Sequence, residues 1–217
     1  MTIYLLPGQG SDRRIFKYLR FDGKHAIKYI EYETPGKGVT LKQFSGAVAG
    51  EIDTNEKFIL IGVSMGGMIC SELAEILHPE TVIIISSAKN RGELPWRYKI
   101  QKFIPLYKFI PAKFLLRGAM FLQPVFEPDR NKYKSIFTSM LGSKKPIYIK
   151  RTIDMIINWE RTTNRRKIIH IHGDRDHTLP IKNISPDFVI KDGSHMMTLT
   201  RVKEISVVLN NLIKECG

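Results

Sequence analysis

Three residue types stand in a chain order that could do nucleophilic chemistry: a serine at 64, aspartates at 174 and 176, and a histidine at 195. Ser64 lies in Gly62-Val63-Ser64-Met65-Gly66, directly after the apolar run Phe58 to Ile61. An amphipathic pattern follows at once, with Met65, Met68, Ile69, Leu73, Ile76 and Leu77 at helical spacing and Glu72 and Glu75 on the other face. A chain can present a serine hydroxyl on a sharp strand-to-helix turn in this way. The glycines on either side keep side chains out of a turn too tight to hold them. A serine hydroxyl is a weak nucleophile at neutral pH. It needs a base within hydrogen-bond reach, and an acid to orient that base. Where such a turn is used, the order along the chain is serine, acid, histidine, with both partners on loops after later strands.

Both partners are available. The strand Lys167–Ile171 runs into His172-Gly173-Asp174-Arg175-Asp176-His177-Thr178-Leu179-Pro180, where two aspartates compete for the role of acid. A short apolar stretch, Phe188 to Ile190, precedes Asp192-Gly193-Ser194-His195. On these motifs the chain resembles the α/β-hydrolase superfamily, whose acid loop often reads Gly-x-x-Asp-x-x-x-Pro. Gly173, Asp176 and Pro180 match that spacing. The resemblance implies that Asp176 is the acid, with Asp174 as the alternative, and that His195 in its Gly-x-His turn is the base. An oxyanion hole of two backbone N–H groups is expected as well. Met65, next after the serine, would give one and Gln9 the other, from Pro7-Gly8-Gln9 after the first strand. Many relatives have His-Gly-x at that place, so this chain lacks their histidine. The resemblance covers residues 1–90 and 167–217.

His170-Ile171-His172-Gly173-Asp174-Arg175-Asp176-His177 also resembles the His-x-His-x-Asp-His motif of metallo-β-lactamase-type hydrolases. Two extra residues precede the last histidine, and the serine turn already accounts for the aspartates. No metal site is therefore expected. Gly8-Gln9-Gly10 lacks the Lys-Ser/Thr that would make a phosphate cradle, and no cofactor is called for.

The elements that must position these groups alternate along the chain. Strands are expected at Ile3–Leu6, Ala26–Ile30, Phe58–Ile61, Thr81–Ser86, Lys167–Ile171 and Phe188–Ile190. Helices are expected from Ser11 or Asp12 through Arg20, from Thr40 to about Ile52, after Ser64, and from Val202 to Leu212. The strands are apolar throughout rather than alternating, so both sheet faces are covered. The fold class is α/β: a three-layer arrangement of about six mostly parallel strands flanked by helices, as a single domain over residues 1–217.

Residues 91–166 interrupt that alternation. Pro95, Pro105, Pro111, Pro124, Pro128 and Pro146 permit several short helices but not one long one. Residues 91–167 hold 18 Lys and Arg against 5 Asp and Glu, whereas the rest of the chain holds 16 of each. The whole net charge of +13 thus sits in this stretch, with 12 of the 21 aromatic residues. The segment is read as an inserted, basic, mostly helical cap over the carboxyl edge of the sheet, where ligands bind in such folds. Its charge suits an anionic partner, whether a carboxylate or phosphate ligand, an acidic protein such as an acyl carrier, or a membrane surface. Nucleic acid is disfavoured.

No apolar run approaches the ~20 residues that span a bilayer, and Met1–Gly8 reads as a first strand rather than a signal peptide. Cys70 and Cys216 make no disulfide framework. A cytoplasmic location is expected. Together these features point to a serine hydrolase cleaving a carboxylic ester or thioester through an acyl-enzyme. The alternatives are a non-hydrolytic enzyme of the same fold, of the C–C or hydroxynitrile lyase type, and a basic binding module on a hydrolase scaffold.

Overall fold

The strands expected from the apolar runs form one sheet in the computed structural model, which describes residues 1–126 and 133–215. Pro128 and Cys216 lie outside the described residues. The strands are β1 (Thr2–Leu6), β2 (Ala26–Tyr29), β3 (Phe58–Val63), β4 (Thr81–Ile85), β5 (Ile169–Gly173) and β6 (Phe188–Ile190). They lie in the order β2-β1-β3-β4-β5-β6, every neighbouring pair parallel.

Successive strand residues point to opposite faces, and in the inner strands β1, β3, β4 and β5 both faces are buried, whereas the edge strands β2 and β6 are largely exposed. Tyr4, Leu6, Leu60, Val82 and Ile84 pack on one side, against α1 (Leu41–Ala49) and α2 (Met65–Leu77). Ile3, Leu5, Ile59, Ile61, Ile83 and Ile85 pack on the other, against α7 (Met197–Thr200) and α8 (Val202–Lys214). This two-sided burial is why the runs carry no polar alternation. The helix at Leu41 is set by Thr40, which accepts from the Gln43 N–H while the Gln43 side chain accepts from the Thr40 N–H.

One early helix is shorter than expected. Only Arg13–Phe16 winds, as a single 3-10 turn capped by Asp12. One turn suffices to bury Ile15 and Phe16. Beyond it the backbone N–H groups of Arg20 and Asp22 donate to Ser206 Oγ and Asn210 Oδ1 of α8, at 3.1 and 2.9 Å. An N–H held by the last helix is lost to a local one.

Between β4 and β5 the described residues form helices and no strand: α3 (Trp96–Phe103), α4 (Ala112–Phe126), α5 (Lys134–Gly142) and α6 (Pro146–Ile157). Pro95 and Pro111 immediately precede helices, and Pro146 opens one, as a residue with no N–H to spare should. Pro124 instead falls within α4. The end of this segment is anchored to α2. Buried Glu72 accepts from Trp159 Nε1 at 2.8 Å and from two Arg161 nitrogens at 2.9 and 2.8 Å. No helix among the described residues is long and apolar enough to cross a membrane.

The topology fixes where a site can form. From β1 the chain goes to β2 on one side, and later elements extend from β3 on the other. The loops after β1 and β3 therefore face each other across the switch point, at the carboxyl end of the sheet.

Candidate active site

Ser64 occupies the turn between β3 and α2 with φ 53° and ψ −122°. A non-glycine residue held there carries strain of about 1–3 kcal/mol, so its surroundings must enforce it. The Ser64 N–H donates to the Ile85 carbonyl at 3.0 Å. Its own carbonyl accepts from Ser87 Oγ at 2.7 Å and from the Gly67 N–H at 2.9 Å. The flanking glycines are needed sterically. A Cβ on Gly62 would fall closer than 3.0 Å to the Gly66 backbone, and one on Gly66 closer than 3.0 Å to the Leu6 and Pro7 carbonyls. The serine turn is thus wedged against the loop after β1.

His195 and Asp176 converge on this hydroxyl. His195 Nε2 lies 3.0 Å from Ser64 Oγ, and His195 Nδ1 lies 2.7 Å from Asp176 Oδ2. With Nδ1–H donating to the carboxylate, Nε2 is left as the acceptor for the serine proton. The other oxygen, Asp176 Oδ1, accepts from the backbone N–H groups of Thr178 and Leu179 at 2.8 and 2.7 Å. Asp176 is 2% exposed. Burial alone would raise its pKa, but the adjacent His195, with His172 and the Leu179 N–H, outweighs this and holds it below the usual carboxylate value. Asp174, the competing acid, is exposed. Its N–H donates to the Ile190 carbonyl at 3.3 Å.

Two histidines behind the acid, His170 and His172, form a buried chain. His172 Nε2 lies 2.8 Å from the Leu179 carbonyl and 3.6 Å from Asp176 Oδ2. His172 Nδ1 lies 3.1 Å from His170 Nε2. Desolvation lowers the pKa of His172 and takes that of His170 well below the ordinary value, so burial favours the neutral form of both rings. One proton assignment then satisfies three of the four nitrogens. His172 donates from Nε2 to Leu179 and accepts at Nδ1 from His170, leaving His170 Nδ1 buried without a partner. Among the described residues, no group of three His, Cys, Asp or Glu side chains converges in a way that could hold a metal. A signal was present in the sequence, in that both histidines fall on a strand buried on both faces.

Met65 opens α2, so its backbone N–H has no partner within the helix. Gly8 packs on the serine, since a Cβ there would lie 3.0 Å from Ser64 Cβ. That brings Gln9 to the rim of the site. The Gln9 side chain reaches away from the serine into the inserted helices, donating to Thr152 Oγ1 at 2.7 Å and to the Ile149 carbonyl at 3.3 Å. A cavity of about 260 Å³ opens over Ser64 and His195. Its walls are mostly apolar and come from all four inserted helices, through Tyr98 of α3, Leu122 of α4, Phe137 and Leu141 of α5, and Ile149 and Ile153 of α6. The basic pairs of the insert are not at this mouth. Arg165 N–H donates to Glu75 and Arg166 lies against His78, at the far end of α2 from Ser64. Lys144 lies over the Tyr148 ring.

A parallel sheet with helices on both faces, a strained serine after its third strand, and an acid and histidine after its fifth and sixth strands together specify one architecture. The chain has the α/β-hydrolase fold. Solved structures agree at low sequence identity. The enol-lactonase from Burkholderia xenovorans LB400 superposes with a TM-score of 0.75 at 14% identity, over 98% of this chain and 91% of that one. The esterase EaEST from Exiguobacterium antarcticum gives 0.70 at 15%, over 99% and 92%. ClbQ from the colibactin NRPS/PKS pathway gives 0.69 at 15%, over 99% and 97%. No protein-family model and no curated protein matches the sequence.

Proposed function

We propose that this protein is a serine hydrolase that cleaves a carboxylic ester or thioester through an acyl-enzyme intermediate. The observation that carries the reading is the continuous hydrogen-bonded line from Ser64 Oγ through His195 to Asp176. Ser64 Oγ attacks the substrate carbonyl as its proton passes to His195 Nε2. Asp176 holds the ring with Nδ1–H inward and stabilises the imidazolium that forms. The backbone N–H groups of Gln9 and Met65 receive the developing oxyanion. His195 returns the proton to the departing alcohol or thiol, then takes one from the water that attacks the acyl carbon and passes it to Ser64 Oγ as the acyl C–O bond breaks and the acid leaves. This sequence of steps calls for no cofactor.

The inserted segment, residues 91–166, acts as the cap that selects the acyl group. The apolar walls above Ser64 favour a hydrophobic acyl chain, and the expected compartment is the cytoplasm. The esterase EaEST, which shares the fold, is compatible with this chemistry. The test is a series of nitrophenyl esters of increasing acyl length. The reading expects a burst of nitrophenol equal to the enzyme concentration, followed by slower turnover, and rates that rise from acetyl to medium chains. Absence of turnover on every ester of the series, and on acyl thioesters of the same chain lengths, would refute it.

A further inference from the structure

The outward side of the inserted segment is unusual. Helix α3 has its apolar stripe turned to solvent: Trp96, Ile100 and Phe103 stand at i, i+4 and i+7 on one helical face, and all three are exposed. An amphipathic helix of a folded domain ordinarily buries that stripe. The exposure continues beyond α3. Phe103 is 81% exposed, Phe109 84% and Phe121 81%. On α4, Phe114, Arg117 and Phe121 share a face at i, i+3 and i+7, all exposed. Most of the large apolar side chains exposed among the described residues fall between 96 and 122.

The charge on the same stretch is of one sign. From Leu94 to Phe126 there are six Lys and Arg and no Asp or Glu. Two of these cations meet acids from outside the stretch, Lys102 with Glu160 and Lys108 with Asp154. Lys113 and Arg117 are exposed beside the α4 aromatics. Four of the six cations are lysines. Lysine is depleted in the interfaces proteins make with one another. Trp and Phe interleaved with Lys and Arg is instead the composition of helices that lie in the boundary of an anionic bilayer. The stretch also adjoins the site, because Arg97, Tyr98 and Leu122 line the cavity over Ser64.

We propose that the face built by residues 96–122 docks on an anionic lipid surface, with Trp96, Phe103, Phe109 and Phe121 entering the headgroup boundary and the lysines and arginines meeting lipid phosphates. The docking claim rests on this surface alone. Its consequence for substrate, that the ester is drawn from the lipid phase into the cavity, rests on the hydrolase reading above.

The test is co-sedimentation of the full chain with phosphatidylcholine vesicles, with and without about 30% phosphatidylglycerol. Trp96 gives a second readout. The other tryptophan, Trp159, is 2% exposed and bonded to Glu72, so a blue shift of emission on adding vesicles reports Trp96. Binding to the anionic vesicles is expected to be stronger by about tenfold or more, with a blue shift. The double variant Phe103→Ser with Phe109→Ser should lose about tenfold or more of that binding, while keeping its rate on a short soluble ester. Ser64→Ala should bind as the native chain does. Failure to bind anionic vesicles by a chain that hydrolyses the soluble ester would overturn the docking and leave the hydrolase reading standing. Vesicle binding with no hydrolysis would do the reverse. Binding that survives the Phe103 and Phe109 changes would place it on another surface. Capture of an acidic carrier protein without vesicle binding would assign the patch to a protein partner instead.

Discussion

Asp176→Asn should inactivate this protein without unfolding it, and the geometry says by how much. The two carboxylate oxygens have different partners. Oδ1 accepts two backbone N–H groups, from Thr178 and Leu179, and Oδ2 accepts from His195 Nδ1. An asparagine must place its oxygen at one position and its NH₂ at the other. Turning the NH₂ toward Thr178 and Leu179 would set donors against donors in a buried site, at roughly 1–3 kcal/mol for each N–H left unpaired. The oxygen therefore stays at the Oδ1 position and the NH₂ faces His195. The ring must then accept at Nδ1 and carry its proton on Nε2, facing Ser64 Oγ, where it cannot act as a base. Loss of the correct tautomer costs about 10⁴-fold in kcat, equivalent to ~5.4 kcal/mol of barrier. The assay is the steady-state rate on a nitrophenyl ester with circular dichroism and thermal melting in parallel. Asp174→Asn is the control, since Asp174 is exposed, and it should keep nearly full activity. A loss under about tenfold for Asp176→Asn, or an equal loss for Asp174→Asn, would refute the reasoning.

Three further outcomes are expected. Ser64→Ala and His195→Ala should each remove most turnover, and the double variant should be little worse than either, because the two act as a unit; additive losses in kcat would count against a shared mechanism. Gly66→Ala sets a Cβ against two fixed backbone carbonyls and should lower stability by about 3 kcal/mol or more, read as ~6–12 °C in Tm, whereas Gly46→Ala, with open space around it in α1, should raise stability by about 0.5–1 kcal/mol. Stability should also fall with pH in a defined window. His170 and His172 have folded pKa values below the ordinary 6.5, so the unfolded chain binds more protons in the interval between. Their contribution is complete above pH ~6.5 and is lost as pH falls through that interval toward the folded values, with a slope up to about 1.4 kcal/mol per pH unit for each ring. Chemical denaturation at stepped pH should show this slope, and His170→Phe should remove one ring's share.

The parts legible in the sequence were those set by local sterics and periodicity. Apolar runs without alternation can be satisfied only by strands covered on both sides, and Gly62 and Gly66 could be read because a Cβ at either place meets backbone. Where no motif marked them, contacts with distant partners were not legible. Glu72 stands at a helical position that reads as a solvent face, yet Trp159 and Arg161, remote in the chain, turn it inward. The early helix expected to reach Arg20 winds only to Phe16, and the Arg20 N–H, which would have closed its last turn, donates instead to Ser206 of α8. The α3 stripe was invisible for the opposite reason. Its spacing is that of a buried face, and only the fold shows that none of the described residues covers it.

The central claim is that Ser64, activated by His195, is the nucleophile. Its most direct measurement is reaction with a fluorophosphonate, followed by mass spectrometry of the digested protein to locate the adduct. The account predicts a single phosphonylated residue, Ser64, with labelling abolished in Ser64→Ala and suppressed in His195→Ala. A folded chain left unlabelled at Ser64, or labelled at another residue, would contradict it.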